Sequence, residues 1–248
     1  MHQPRFFVST ALPRDAAWPL PITLDEKASA HIRVLRLIEG ENIALFDGEG
    51  GEFAATIATI GKRDVLVQLL AHHAVERESL LNIILVQALA TGDKMDWIIQ
   101  KATELGVAAI EPIQTQRATA KLNVERAAKR AAHWQGVAIA ACEQCGRNRV
   151  PTVAPVADFT DWLARNSCAT RWLLDPEASA TLTTQTSENS NAVALVIGPE
   201  GGFAAEEIAA ARRAGVQTVR FGTRVLRTET AGIAAIAALQ AMLGDLGC

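Results

Sequence analysis

The sequence predicts an α/β protein: a mostly parallel sheet covered by helices on both faces, preceded by a small domain of short strands. Three observations carry that prediction. From residue 80 onward, apolar strand-like runs alternate with segments of helical spacing, as βαβ architecture requires. Residues 1–72 instead read as short strands separated by turns. Near the C-terminus, Ile197-Gly198-Pro199-Glu200-Gly201-Gly202-Phe203 and Phe221-Gly222-Thr223-Arg224-Val225-Leu226-Arg227-Thr228-Glu229-Thr230-Ala231 each follow a β-branched apolar run and precede an alanine-rich helical stretch. Two strand–loop–helix turns of this kind are expected on one edge of one sheet, where α/β proteins bind ligands.

Taken in order, residues 43–47 and 52–57 flank Gly48-Glu49-Gly50-Gly51 and predict a hairpin. These glycines resemble a dinucleotide fingerprint, but a strand pattern follows where that site needs a helix. Residues 65–70 add another strand, and the set predicts a small β-barrel over residues 1–72. A segment of mixed charge, residues 73–79, reads as a linker to a second domain over residues 80–248. There, residues 83–86 form a buried strand. Residues 93–104 carry Met95, Ile98, Ile99 and Ala102 at helical spacing, residues 108–113 return to the sheet, and a long helix covers 124–143. Strands are expected near 172–174, 193–197 and 216–221, and helices near 204–214 and 230–243. The polar stretch 181–191 is expected to be a surface loop.

With 49% hydrophobic and 21% charged residues in 248, the composition is that of a globular protein with a sizeable core. No apolar run is long enough to span a bilayer and Arg5 is followed by no signal-peptide core, so the expected compartment is the cytoplasm. Cysteines 142, 145, 168 and 248 make no disulfide framework. The Cys142-x-x-Cys145 spacing fits metal or redox sites, but no second ligand pair accompanies it and a helical pattern precedes it. Buried, reduced thiols and no metal are therefore expected. The formal charge of −3 excludes indiscriminate nucleic-acid binding by the whole surface, yet residues 117–149 hold seven basic residues against two acidic ones. That excess fits a phosphate-contacting patch, or equally a solvated helix face.

The glycines of the two turns let backbone groups approach a ligand with no Cβ in the way, although Gly-Pro-Glu-Gly-Gly is also what a tight connection requires. The second turn adds Arg224, Arg227, Thr228, Glu229 and Thr230 within one short stretch, a density of polar groups that usually serves function.

Both turns together, Leu195-Val196-Ile197-Gly198-Pro199-Glu200-Gly201-Gly202-Phe203 and Gly222-x-Arg224-Val225-Leu226-Arg227-x-Glu229-Thr230-Ala231, resemble the S-adenosylmethionine site of the SPOUT methyltransferases. The closest resemblance is to the RsmE family, which methylates N3 of a uridine in the decoding region of 16S ribosomal RNA. It extends over nearly the whole chain, through His31-x-x-Val34-Leu35-Arg36, Leu45-Phe46-Asp47-Gly48, Gly92-x-Lys94-Met95-Asp96-x-x-Ile99-Gln100-Lys101-x-x-Glu104-Leu105-Gly106-Val107 and Ala140-Ala141-Cys142-Glu143-Gln144-Cys145-Gly146-Arg147-x-Arg149-Val150-Pro151.

The resemblance implies a SPOUT-type α/β domain with a C-terminal trefoil knot after a PUA-like β-barrel that helps hold RNA. It also implies a homodimer with S-adenosyl-L-methionine as cofactor and 16S ribosomal RNA or the small subunit as substrate. Cofactor contacts are then expected from Leu174, Ile197, Gly198, Pro199, Glu200, Gly201, Gly202, Gly222, Val225, Leu226, Thr230 and Ala231. Because the uridine imide must lose or share its proton before it can attack, Glu229 is the candidate base or orienting carboxylate. Arg227 and Arg147 are candidates to offset charge on the uracil oxygens or hold phosphate. Arg33, Arg36, Arg117, Lys121, Lys129, Arg130, Gln144 and Arg149 are the expected RNA contacts. A SPOUT ribose 2′-O-methyltransferase and a non-catalytic RNA-binding module are the alternatives.

Overall fold

In the computed structural model the described residues are 3–118, 122–165, 168–182 and 191–247. Lys121, Cys248 and most of the expected 181–191 loop lie outside them. The chain divides into two compact units, Met1–Glu78 with Cys142–Val150, and Ser79–Ala141 with Pro151–Cys248.

The first unit is built on β1 (Arg5–Phe7), β2 (Leu20–Thr23), β3 (Asn42–Phe46), β4 (Glu52–Ile60) and β5 (Val65–His73), hydrogen-bonded in the order β1-β3-β4-β5-β2. The expected hairpin is β3–β4, with Leu45 opposite Phe53. Asp47 pins its turn by accepting from the Leu12 and Glu49 amides and from Arg14. Burial pushes the Asp47 carboxyl upward, but these donors outweigh it and hold the acid below its ordinary value. Phe6, Ile43, Leu45, Phe53, Val65, Val67 and Leu69 close the core. Each such side chain contributes about 1.5–3 kcal/mol on burial.

One element departs from the all-strand expectation. Residues Glu26–Val34 form helix α1, capped by Asp25, whose carboxylate accepts from the Ala28 amide at 2.9 Å. Only Ala28, Ser29 and Ile32 are buried on this nine-residue helix, so its apolar stripe is too thin to register as a period. The cap is the signal that was available.

The second unit follows the predicted alternation: β6 (Asn82–Ala88), α2 (Lys94–Glu104), β7 (Ala109–Gln114), α3 (Val124–Cys145), β8 (Thr152–Val153), β9 (Ala157–Asp158), α4 (Phe159–Arg165), β10 (Thr170–Leu174), β11 (Ala192–Ile197), α5 (Ala205–Arg213), β12 (Gln217–Val219) and α6 (Thr228–Leu243). The strand order is β12-β10-β11-β6-β7-β8, with β9 also on β7, and every pairing is parallel. Such strands are buried on both faces, which explains why β11 reads Ala-Val-Ala-Leu-Val-Ile without alternation.

Helix α4 was not anticipated, although Phe159, Trp162 and Leu163 stand at i, i+3 and i+4 and are buried. Helix α6 begins at Thr228, two residues before the expected start, and this alters the site. No helix among the described residues is long and apolar enough to cross a membrane.

Candidate cofactor and RNA site

Because β10, β11 and β12 are adjacent and parallel, their C-terminal ends open on one edge of the sheet, and the chain leaves that edge through both glycine turns. A cavity of about 910 Å³ lies between the turns. Ile197, Gly198, Pro199, Glu200, Gly201 and Gly202 wall one side, and Gly222, Val225 and Leu226 the other. Leu174 closes the end of β10 and Ala231 reaches in from α6. Thr230, by contrast, is exposed and does not line the cavity. With α6 starting early, the Thr230 and Ala231 amides both donate to the Arg227 carbonyl, at 3.0 and 2.8 Å, within the first turn of the helix.

The glycines divide by what a side chain would meet. At Gly202 (φ +68°) and Gly222 (φ +74°) nothing lies within 4 Å of a Cβ, so glycine serves the backbone conformation and the side facing the cavity stays bare. At Gly198 a Cβ would stand 3.0 Å from the ring of Phe203, which is 8% exposed in the core. The expected reason for this glycine was open ligand approach, whereas the structure adds close packing on Phe203.

A buried polar relay ties the turns together. Gln87, fully buried at the end of β6, donates from Nε2 to Thr228 Oγ1 at 3.0 Å, and Thr228 Oγ1 donates to the Gly198 carbonyl at 2.6 Å. A second tie is electrostatic. One oxygen of Glu200 accepts from the Thr91 amide, the Thr91 hydroxyl and Lys94 Nζ, at 3.1, 2.8 and 2.9 Å. Partial burial pushes the Glu200 carboxyl up, but Lys94 and Thr91 outweigh it and bring it down to about 2. Lys94 Nζ also stands 3.4 Å from Glu229 Oε2. The ammonium therefore bridges the acidic residues of both turns. Lys94 stands in one of the family strings but has no role assigned from sequence, and no local pattern points to Gln87.

Arg224 and Arg227 are exposed on the second turn and line the cavity. Arg117 is exposed nearby, with Nη1 3.4 Å from the Gly201 carbonyl. Lys129 and Arg130 are exposed on α3, where Lys129 pairs with Glu125 at 2.8 Å.

The remaining candidates belong to the first unit. Arg147 is 5% exposed and its guanidinium is engaged by Glu78, through Nε at 3.0 Å and through Nη2. Burial works against its charge, but Glu78 more than offsets this and raises its pKa further. Arg33 donates to the Gly61 and Asp64 carbonyls at 3.1 and 3.2 Å, fastening the β4–β5 turn. Arg36 is exposed, at φ +56°. Gln144 is exposed, as is Arg149, which pairs with Glu76 at 2.9 Å. His31 Nδ1 lies 3.2 Å from Glu143, in keeping with a structural part. Cys142 is buried, and burial pushes its thiol up to about 12, so it stays protonated. Among the described residues no group of three or more His, Cys, Asp or Glu side chains is placed to hold a metal ion.

Comparison with known proteins gives this geometry a family. Residues 76–240 match the RNA methyltransferase domain and residues 24–70 the RNA methyltransferase PUA domain. The chain is 34% identical to the ribosomal RNA small subunit methyltransferase E of Buchnera aphidicola subsp. Schizaphis graminum, over 91% of this chain and 92% of that one. Among solved structures it resembles a Legionella pneumophila protein in complex with the bound cofactor SAM, with a TM-score of 0.93 and 37% identity over 99% of this chain and 100% of that one. It also resembles the ribosomal RNA small subunit methyltransferase E of Neisseria gonorrhoeae bound to S-adenosyl methionine, with a TM-score of 0.91 and 40% identity over 98% and 99%. The chain therefore belongs to the RNA methyltransferase family, a SPOUT-type enzyme with a PUA domain, among the small subunit methyltransferases E.

Proposed function

We propose that this protein uses S-adenosyl-L-methionine to methylate N3 of a specific uridine in the decoding region of 16S ribosomal RNA. The observation that carries the reading is the cavity of about 910 Å³ between two glycine turns at three parallel strand ends, in a chain 40% identical to a relative crystallised with that cofactor. The residues present fit the group. Bare backbone at Gly202 and Gly222 admits a flat, hydrogen-bonding base, and Ile197, Val225 and Leu226 offer apolar contact beside it.

When bound, the cofactor supplies an activated methyl group on a sulfonium. The chain's own residues have three tasks. The turns hold the cofactor so that the nucleophile can align with the methyl group. Glu229, held by Lys94, orients the uracil imide or takes its proton. Arg224 and Arg227 at the cavity hold phosphate or offset charge growing on the uracil oxygens. Arg147, engaged by Glu78, acts by holding the 142–150 segment that exposes Gln144 and Arg149 to RNA. Arg117, Lys129, Arg130 and Arg36 supply further phosphate contacts.

The family resemblance brings with it a trefoil knot around the cofactor, a homodimer and a cytoplasmic location. Two measurements test the proposal. Calorimetry with S-adenosylmethionine is expected to show one site per chain, and no binding at millimolar cofactor removes the enzymatic reading. Nucleoside mass spectrometry of 16S ribosomal RNA from cells lacking the protein is expected to show loss of 3-methyluridine; loss of a ribose 2′-O-methyl mark instead redirects the target.

A further inference from the structure

We infer that Thr228 is a positioning residue for the cofactor, acting through the Gly198 carbonyl and itself oriented by Gln87. The three groups come from three elements: β6 contributes Gln87, the start of α6 contributes Thr228, and the loop after β11 contributes Gly198. The relay is largely buried, with Gln87 at 0% and Thr228 at 6% exposure, and its Thr228–Gly198 end forms part of the cavity wall. A hydroxyl has one proton to donate. Here it goes to Gly198, because the Gln87 amide occupies the accepting side of the oxygen and also donates to the Ala88 carbonyl at 3.0 Å. The direction of the chain of hydrogen bonds is therefore fixed. Its end point, Gly198, lines the cavity, and its Cα lies so close to the Phe203 ring that a Cβ there would stand 3.0 Å from it. A hydrogen bond and a neighbouring ring together set the orientation of this peptide and with it the spacing of the turns.

The inference rests on the cavity being the S-adenosylmethionine site, and its test separates the two claims. Thr228→Val keeps the side-chain shape and removes both the donor and the acceptor; Thr228→Ser keeps both. Cofactor Kd by calorimetry is expected to rise about fivefold to tenfold for the valine variant, the effect of losing roughly one buried hydrogen bond. The serine variant is expected to bind within about twofold of the parent on the same scale. Without cofactor the valine variant keeps the parental affinity for RNA, which a general loosening of the fold would not allow. Gln87→Met, which spares the Thr228 hydroxyl and frees its orientation, gives a second reading should the valine variant fold poorly, with a rise of about twofold to threefold expected. Parental affinity in both Thr228→Val and Gln87→Met overturns the relay and leaves the cofactor site standing. A valine variant that also loses affinity for RNA measured without cofactor assigns Thr228 to general stability instead. A parent protein that binds no cofactor removes both claims.

Discussion

The arginines of the two units live in opposite circumstances. In the first unit, Arg5 and Arg147 are 7% and 5% exposed, and their guanidinium groups are committed to Glu52, Asn148 and Glu78. In the second, Arg224 and Arg227 stand exposed at the cavity, their guanidinium groups in no hydrogen bond or ion pair among the described residues. The same side chain therefore holds a fold in one place and waits for an anion in the other. Burial makes the difference. A guanidinium taken out of water must be paired, whereas one left in water keeps its donors for a partner that arrives later.

The largest effect that tests this contrast is expected from Arg147→Ala, which leaves Glu78 without its guanidinium partner in a largely buried place. The loss is about 3–5 kcal/mol of stability, read as a lowered denaturation midpoint. An unchanged midpoint would break the comparison and return Arg147 to direct work on the substrate. Replacing Arg224 and Arg227 together by Ala is expected to move stability by less than about 0.5 kcal/mol each. The same change should weaken RNA binding and lower the slope of log affinity against log salt by about two. An unaltered slope would mean that these side chains meet no phosphate.

Glu200 stands between the extremes, its side chain 29% exposed and bound by Lys94 and Thr91. Its folded pKa, about 2, lies below the ordinary 4.5, so its contribution to stability is complete above about 4.5 and is lost as pH falls toward 2. The gap in melting temperature between the parent and Glu200→Gln is expected at neutral pH and should close over that acid window. A gap independent of pH would show that the carboxylate charge is not what fastens the loop. The smallest effect belongs to Lys129→Ala. Its pair with Glu125 is exposed on α3, and its loss changes stability by at most about 0.5 kcal/mol.

Much of the fold was legible because periodicity is local. The apolar run of β11, the helical spacing of Met95, Ile98, Ile99 and Ala102, and the glycines of the β3–β4 turn each announce an element within a few residues. Where the stripe was thin, as on α1, or the segment brief, as on α4, no period emerged. The site was legible in the same way, since both walls of the cavity are contiguous strings. The start of α6 falls two residues before the expected one, so the Thr230 amide lies inside the first turn rather than at its entrance.

By itself, the sequence determined the two domains' character, the alternation of strands and helices, and the two turns that meet a ligand, because each is written in consecutive residues whose backbone preferences are local. Only the tertiary structure decided which polar groups find one another. Gln87 and Thr228 are 141 positions apart, Lys94 and Glu200 106, and Arg147 and Glu78 69. No spacing rule reaches across such distances. Partner choice there follows from which strands lie side by side and which side chains lose their water, and both are settled when the sheet assembles.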